Sequence, residues 1–252
     1  MILNTTLLLF FLFFGLILGS FFNVVGLRLP KNISFVIGRS KCPHCKHQLA
    51  WYENIPFISF IIQGGKCRHC NEKISYIYPA IELSTGMLFA LSYIKIGLNT
   101  ELITALLLVS MLMIILVSDI KYMLIPNKVL LFYLPLFFII RIIQPLIPWW
   151  SSILGGLIGF VLLAAIILIS RGGMGAGDMK LFGVLGIVLG VDKILLAFFL
   201  ACLIGSITSI LLLIFKLIKR KQPVPFGPYI VIATIITYFY GDFLLNWYFN
   251  FL

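Results

Sequence analysis

Two aspartates with matched surroundings offer the clearest catalytic chemistry in the sequence. Asp119 ends one apolar run and Asp178 begins another, and each is followed two residues later by a lysine, Lys121 or Lys180. Two carboxyls that meet in a poor dielectric share a proton, because both cannot ionise cheaply. One carboxylate then removes a proton from water while its protonated partner polarises a scissile carbonyl. The pair predicts peptide hydrolysis without a covalent intermediate.

A glycine-dense polar loop leads into Asp178. The segment 171–180 reads RGGMGAGDMK and lies between two long apolar runs. Glycines let a backbone bend and approach a ligand closely, since no side chain stands in the way. A carboxylate at the edge of a membrane is costly, which favours a functional role. We therefore interpret Gly175, Gly177 and Lys180 as parts of an active-site loop around Asp178.

The same two acids are compatible with other interpretations. They are structural if Lys121 and Lys180 simply neutralise them at the membrane interface, and they carry protons if the protein is a transporter. A transporter predicts ionisable groups near the bilayer midplane, whereas Asp119 and Asp178 fall near one face. Glu82 lies several residues inside an apolar run, where it is either a hydrogen-bonded glutamate or a group that contacts a ligand.

Four of the five cysteines form two turns of the form Lys-Cys-x-His-Cys. Two thiolate pairs at this spacing supply the four tetrahedral ligands of a structural zinc ion. Two disulfides are the competing interpretation, but the segment is predicted to be cytosolic, where disulfides rarely persist. The nearby histidines His44, His47 and His69 are alternative ligands, and Cys202 is expected to be a core residue. The predicted ligands are Cys42, Cys45, Cys67 and Cys70.

The composition sets the class of fold that must position these residues. The chain has 252 residues, of which 62% are hydrophobic and 11% charged. Too few polar residues exist to cover a water-soluble globule, so we predict an all-α polytopic membrane protein with about eight transmembrane helices. The net charge of +11 is attributed to cytoplasmic loops rather than to nucleic-acid binding.

Charge and turn signals divide the chain. We predict a first transmembrane helix at 1–26, a cytosolic zinc-knuckle domain at 27–78 and a seven-helix catalytic domain at 79–252. The sixth span is expected to be short, ending at Gly190 before a turn at 191–193. The amino terminus is predicted to lie outside, because all basic residues except Lys95, Arg141 and Lys193 then fall in cytoplasmic segments.

Several motifs together resemble those of the type IV prepilin leader peptidase family, whose members are Gly-x-Gly-Asp intramembrane aspartyl proteases. The match extends over nearly the whole chain, and the order and spacing of its motifs are more specific than any one of them. The motifs are Gly19–Val25 with Arg28–Pro30, the paired Cys-x-x-Cys turns, Tyr52–Pro56, Tyr78–Glu82, Asp119 with Ile125–Pro126, Gly175–Leu181 and Pro225–Pro228.

The resemblance implies a function and a location. It implies that Asp119 and Asp178 are the catalytic pair, and that short basic leaders of prepilins or pseudopilins are cut at the cytoplasmic face of the bacterial inner membrane, after a glycine. Members with the cysteine-bearing insert generally also methylate the new amino terminus with S-adenosylmethionine. Ile77 and Glu53 depart from the usual arginine and aspartate, so a peptidase without methyltransferase activity is the alternative. Neither a methyl-donor site nor an oligomeric state is assigned.

Helix polarity suggests separate roles for the two acids. Asp178 begins a helix and Asp119 ends one. Because the amino end of a helix favours negative charge, we predict that Asp178 is the base and Asp119 the acid.

Overall fold

The computed structural model describes residues 2–36, 40–170, 174–219, 222 and 224–251, and this part of the chain is mainly helical. Within it, β-structure is limited to the isolated bridges Lys41 to Gln48 and Lys66 to Lys73. The helices are α1 (Ile2–Arg28), α2 (Ile58–Ile62), α3 (Ile77–Ile96), α4 (Thr100–Tyr122), α5 (Asn127–Ile143), α6 (Ser151–Ile169), α7 (Ala176–Ile214) and α8 (Gly227–Phe251).

The predicted class of an all-α membrane protein is confirmed. Six helices of the described residues are long and apolar enough to cross a membrane, namely α1, α3, α4, α6, α7 and α8. The expected number of eight spans is not confirmed. α5 has only 17 residues. The predicted sixth and seventh spans both lie in α7, whose 39 residues form two helical parts that meet at a kink at Gly190.

The chain forms two compact units, Met1–Val117 and Ser118–Leu252. In the first unit, α1 and α3 pack closely because small residues face each other. A Cβ placed on Gly15 would lie 2.8 Å from Gly86 Cα, and one on Gly19 would lie 2.8 Å from Glu82 Cα. The remaining polar stretch between α1 and α3 contains α2 and both cysteine turns.

In the second unit, α6 and α7 pack backbone against backbone. A Cβ on Gly155 would lie 2.5 Å from Gly186 O, and one on Gly159 would lie 2.5 Å from Phe182 O. Helices approach this closely in membranes where small residues line the interface. The contact fixes the first half of α7, which carries Asp178 at its amino end.

α7 contains one non-helical residue, Gly190, with φ 78° and ψ −177°. Arg141 of α5 is buried and donates from Nη2 to Val188 O at 2.8 Å, while Val191 N donates to Ser151 Oγ at 3.1 Å. These side chains satisfy backbone groups that the break releases. The turn expected at 191–193 is therefore a break at one glycine, after which the helix resumes.

Candidate active site and metal centre

Asp178 lies in the first turn of α7 and is 8% exposed. Gly175 precedes the helix with extended dihedral angles, φ −74° and ψ 140°. Its N–H donates to Asp178 Oδ2 at 3.2 Å, and Asp178 N donates to Gly175 O at 3.1 Å. An acid at this position binds the otherwise unpaired N–H groups of a helix start. The carboxyl is thus held at the end of the helix.

Asp119 lies in the last turn of α4 and is 5% exposed. Met123 has a positive φ of 51° and donates from its N–H to Asp119 O at 2.8 Å, which ends the helix. Gly227 N, at the start of α8, donates to Asp119 Oδ2 at 2.8 Å. A helix end and a helix start therefore fix this carboxyl together.

The two aspartates occupy one site within the second unit. Asp119 acts electrostatically on Asp178, so their carboxyls are close enough to interact. Ile125, which follows α4, also packs against Gly177, where an added Cβ would lie 3.0 Å from Ile125 Cβ. The structure thus brings together two acids 59 positions apart on separate helices. The beginning of the predicted loop, 171–173, lies outside the described residues.

Lys180 lies beside this site and contacts another polar group. Its Nζ donates to Asn127 Oδ1 at 3.1 Å, which joins the first turns of α5 and α7. Within the described ranges, no ion pair links Asp119 or Asp178 to a lysine. The interpretation that lysines neutralise the two acids therefore gains no support from this part of the chain.

The sequence did not identify Gly227 as part of the site. A Pro-Phe-Gly-Pro segment before the last apolar run marks this glycine in the sequence. Its hydrogen bond to Asp119 joins residues 108 positions apart, so the sequence pattern alone does not indicate the contact. Asp119 also contacts the amino end of a helix, as Asp178 does. Helix polarity consequently does not distinguish the base from the acid.

The four predicted metal ligands cluster in the first unit. Their sulfur atoms all lie within 4.8 Å of one another, with Cys42 Sγ to Cys70 Sγ at 3.8 Å and Cys45 Sγ to Cys67 Sγ at 4.0 Å. Four sulfurs at about 2.3 Å from a tetrahedral zinc ion stand about 3.8 Å apart. The residues therefore fit a metal ion of this kind.

The two cysteine turns have the same backbone design. Cys42 N donates to His47 O at 3.0 Å, and Cys67 N donates to Glu72 O at 2.9 Å. The fourth residue after the first cysteine of each turn, Lys46 or Asn71, has a positive φ near 60°. Repetition of one local turn explains why two short motifs present their sulfurs in the same way.

The surroundings of the sulfur cluster shift the pKa values of Cys42 and Cys70 in opposite directions. The backbone N–H of Cys45, with a smaller contribution from that of His44, outweighs desolvation and lowers the pKa of Cys42 to about 6. The Glu72 N–H favours the thiolate of Cys70, but desolvation and the neighbouring sulfurs raise its pKa to about 12. Four adjacent thiolates repel one another, and a bound divalent cation removes that repulsion.

The histidines do not join the sulfur cluster, which contains cysteines only among the described residues. The rings of His47 and His69 are in contact at a tilt of 39°, with their centroids 3.7 Å apart, and His47 Nε2 lies 3.9 Å from Glu53 Oε2. His44 and His69 are exposed. Cys202 is half-buried in α7, away from the cysteine turns in the sequence.

Comparison with protein families divides the chain into two matched segments. Residues 13–96 match the bacterial peptidase A24 N-terminal domain. Residues 106–210 match the type IV leader peptidase family. The first segment contains the cysteine cluster, and the second contains Asp119 and Asp178.

Individual relatives match over almost the full chain. A prepilin leader peptidase/N-methyltransferase of Bacillus subtilis (strain 168) is 43% identical over 93% of this chain and 95% of its own length. Proteins of the same name from Aeromonas hydrophila and Aeromonas salmonicida are 31% and 30% identical, each over 93% of this chain and 91% of their own length. No solved structure matches.

Proposed function

The chain belongs to the type IV leader peptidase family, and we propose that it is a membrane aspartyl endopeptidase that removes leader peptides from prepilin-like proteins. The observation that carries this proposal is the convergence of Asp119 and Asp178, both nearly buried, from the ends of α4 and α7. A pair of acids in this arrangement is suited to activating water.

In the proposed reaction, one carboxylate takes a proton from water as the water oxygen attacks the scissile carbonyl carbon. The protonated partner donates to the carbonyl oxygen, and a tetrahedral intermediate forms. When this intermediate collapses, the C–N bond breaks and the leaving amine accepts a proton from the acid pair. The Gly227 N–H holds the Asp119 carboxyl in place, and the Gly175 N–H holds that of Asp178. Because both carboxyls are already oriented, no conformational entropy has to be lost to orient them during the reaction.

The proposed substrates are prepilins or pseudopilins with a short basic leader ahead of a hydrophobic helix. Cleavage after a glycine at the cytoplasmic side follows from the family resemblance. An apolar helix that is already in the bilayer would present the cleavage point at its end, at the same depth as Asp119 and Asp178. The location of both acids at helix ends supports this match.

We propose a second activity, N-methylation of the new amino terminus with S-adenosylmethionine. The support is the 43% identity to a relative whose name includes N-methyltransferase, together with the shared N-terminal segment. When bound, the donor would supply a methyl group to the neutral amine nitrogen, which would then lose a proton, and S-adenosylhomocysteine would be the second product. Peptidase activity alone is the alternative, because Ile77 and Glu53 depart from the family pattern.

We also propose that the four cysteines bind a structural zinc ion. Thiolates select zinc among common divalent ions, and the sulfur separations fit tetrahedral coordination. The segment 27–78 then forms a cytosolic zinc-knuckle domain between a first transmembrane helix at 1–26 and the catalytic helices at 79–252. A metal ion would supply folding free energy that so small a segment lacks.

The proposed topology places the chain in the bacterial inner membrane with the amino terminus outside and the acid pair at the cytoplasmic face. The protein is an integral membrane protein by its apolar helices. The orientation is supported by the concentration of lysine and arginine in the segments between α1 and α3 and between α7 and α8.

The direct test is leader cleavage by Asp119→Asn and Asp178→Asn proteins, purified in detergent and mixed with a synthetic prepilin segment. Each change should lower the cleavage rate by at least about 10²-fold, because it removes an acid–base group. Asp192→Asn is the matched control, since Asp192 is exposed in α7. Wild-type cleavage by either Asp119→Asn or Asp178→Asn, read by mass spectrometry, would contradict the proposal.

A further inference from the structure

The short helix α2, in the segment with the cysteine turns, has an apolar face that is exposed. It covers Ile58–Ile62, and the side chains of Ile58, Ile61 and Ile62 are 45%, 60% and 67% exposed. Because positions i, i+3 and i+4 share one face of a helix, the three isoleucines form a single surface. Phe60, between them in the sequence, is instead packed against the Tyr76 ring, with the ring centroids 5.6 Å apart. Exposed apolar side chains grouped in this way mark a surface that meets a partner or a membrane.

The start of α2 lies beside the interior of α3 rather than beside its end. Phe57 N donates to Glu82 Oε2 at 2.8 Å, and Glu82 is the sixth residue of α3. At the rise of an α-helix, Glu82 is about 7 Å along the axis from Ile77, where α3 begins. The 20 residues of α3 extend over about 30 Å, which equals the thickness of the hydrocarbon core. Phe57 therefore lies at, or just inside, the boundary between headgroups and hydrocarbon.

The packing of α1 on α3 gives the same depth. A Cβ placed on Gly19 would lie 2.8 Å from Glu82 Cα, so these two residues are level with each other. Gly19 stands nine positions before Arg28, the last residue of α1. α1 therefore continues for about 13 Å beyond the level of Glu82. The start of α2 is thus level with the inside of the helix pair.

Left-handed backbone conformations enclose α2 on both sides. Phe57 precedes the helix with φ 59°, and Gly64 and Gly65 follow it with φ 58° and 69°. Ile74 N then donates to Gly65 O at 2.8 Å, which returns the chain to the segment of the cysteine turns. The chain thus enters and leaves α2 abruptly, as a short re-entrant excursion does.

The backbone around α2 is paired as a position beside lipid requires. Non-helical backbone near hydrocarbon is tolerated only where its polar groups have partners. Gly65 N donates to Phe60 O at 2.9 Å, and Ser59 N donates to Ile55 O at 3.1 Å. The Phe57 N–H, which precedes the helix, is paired with the carboxyl of Glu82. This bond gives a physical reason for an acid inside the apolar run of α3.

Exposed basic side chains follow α2 in the sequence. Lys66, Arg68 and Lys73 are exposed, and Lys66 and Lys73 face each other in an isolated bridge. Glu72 is an exposed acid in the same stretch. Apolar side chains beside lysine and arginine are typical of segments that lie in the interface of a membrane with anionic lipids.

We propose that α2 is an interfacial anchor, whose partner is the bilayer surface. Its three isoleucines lie among the acyl chains, and Lys66, Arg68 and Lys73 lie at the phosphate groups of anionic lipids. The bilayer is favoured over a second protein because Glu82 holds the start of α2 at the level of the hydrocarbon. The anchor keeps the cysteine cluster at the membrane surface, since Cys67 follows α2 in the same compact unit. The inference depends on neither proposed enzymatic activity.

The test attaches a photoreactive group to the exposed face of α2 in the full-length protein. The protein carries p-benzoylphenylalanine in place of Ile61 and is reconstituted in liposomes of equal amounts of phosphatidylcholine and phosphatidylglycerol. After ultraviolet irradiation, mass spectrometry should find adducts with the mass of one phospholipid. The same group in place of His44, an exposed residue of the first cysteine turn, should give about tenfold fewer adducts, because a polar position stays in water.

Phe10, which is 58% exposed in the apolar helix α1, provides the positive control. Thermal unfolding of each protein checks that the substitution has not unfolded the chain. Equal numbers of lipid adducts at positions 61 and 44 would overturn the proposal. Cross-links from position 61 to a second copy of the chain, or no adduct there while position 10 reacts, would overturn it as well.

A second measurement tests the basic side chains. With the photoreactive group at position 61, the adducts should contain about twofold more phosphatidylglycerol than phosphatidylcholine, because the cations attract anionic headgroups. Lys66→Gln combined with Lys73→Gln should remove this excess, whereas Glu72→Gln should keep it. An unchanged excess in the double variant would show that the lysines do not contact the headgroups, which contradicts their assigned place.

Discussion

Asp119 depends on a glycine far away in the sequence. A Cβ placed on Gly227 would lie 2.5 Å from Asp119 Oδ2 and 2.8 Å from its Cγ. Because Gly227 has no side chain, its own N–H at the start of α8 can donate directly to the Asp119 carboxyl. At this position glycine serves close approach rather than an unusual backbone angle.

We predict that Gly227→Ala lowers the cleavage rate more than it lowers stability. The added methyl group must displace the Asp119 carboxyl, and misplacement of a reacting group by about 1 Å costs about 10²-fold in rate. Cleavage of a prepilin segment and thermal unfolding should be measured on the same preparation. Gly241→Ala in the same helix is the control, because its Cβ would meet only side-chain atoms at 3.3 Å or more. Equal activity of the two variants would contradict the prediction.

The cysteines also act as single residues with distinct expected effects. Cys67→Ser should reduce bound zinc from one ion per chain to almost none, because it removes one of four tetrahedral ligands. Cys202→Ser should leave the zinc content unchanged, since Cys202 belongs to α7 rather than to the sulfur cluster. Metal analysis of the purified proteins by mass spectrometry measures both. A full zinc content in Cys67→Ser would show that another ligand set is used.

At the scale of elements, the break in α7 is stabilised by its neighbours. Arg141 from α5 and Ser151 from α6 each bond a backbone group beside Gly190. A buried arginine is costly unless its donors are used, and the Val188 carbonyl uses one of them. Three helices thus meet at one interruption, at the end of the part of α7 that carries Asp178 in its first turn.

We predict that Gly190→Ala destabilises the protein by at least about 1 kcal/mol, because it strains a residue with a positive φ. The added Cβ would also lie 2.6 Å from Ser151 Oγ. The midpoint of thermal unfolding should fall by about 2–4 °C per kcal/mol in a chain of this size. Gly183→Ala in the same helix should not lower it, since its nearest neighbour would lie at 3.4 Å. Equal midpoints of thermal unfolding for Gly190→Ala and Gly183→Ala would contradict the prediction that the substitution strains the backbone at position 190.

At the scale of the whole molecule, the number of membrane crossings follows from how α5 and α7 are counted. α5 has 17 residues and includes the buried Arg141. α7 has 39 residues and is interrupted at its fifteenth residue, Gly190. If α7 crosses the bilayer twice by bending at this break, and α5 crosses once, the predicted topology of eight spans is retained. Length and hydropathy alone give six candidate spans in the part of the chain that the structure describes.

The predicted orientation can be measured on intact cells. In a Cys202→Ser background, Asn99→Cys should react with a membrane-impermeant maleimide added outside, because the connection between α3 and α4 is predicted to be external. Lys216→Cys should react only after the cells are permeabilised, since it follows α7 on the predicted cytoplasmic side. Both residues are exposed. The reverse pattern would invert the topology.

The sequence by itself determined the class of protein, and it predicted which four cysteines form a metal site and which two acids form the catalytic pair. Composition excludes a soluble globule, the spacing of cysteines defines local turns, and Asp119 and Asp178 stand out because few acids occur in apolar runs. These features are local, so they can be recognised without knowing the fold. The roles of the two aspartates and of zinc stay predictions until they are tested by experiment.

Only the tertiary structure decided which distant groups meet. The contact of Gly227 with Asp119, of Arg141 with Val188 and of Glu82 with Phe57 joins residues between 25 and 108 positions apart. Hydropathy does not encode such pairings, because any apolar helix face can pack against several others. Backbone conformation at Gly190 likewise arises from three helices packing together, which is why α7 was predicted as two spans separated by a turn.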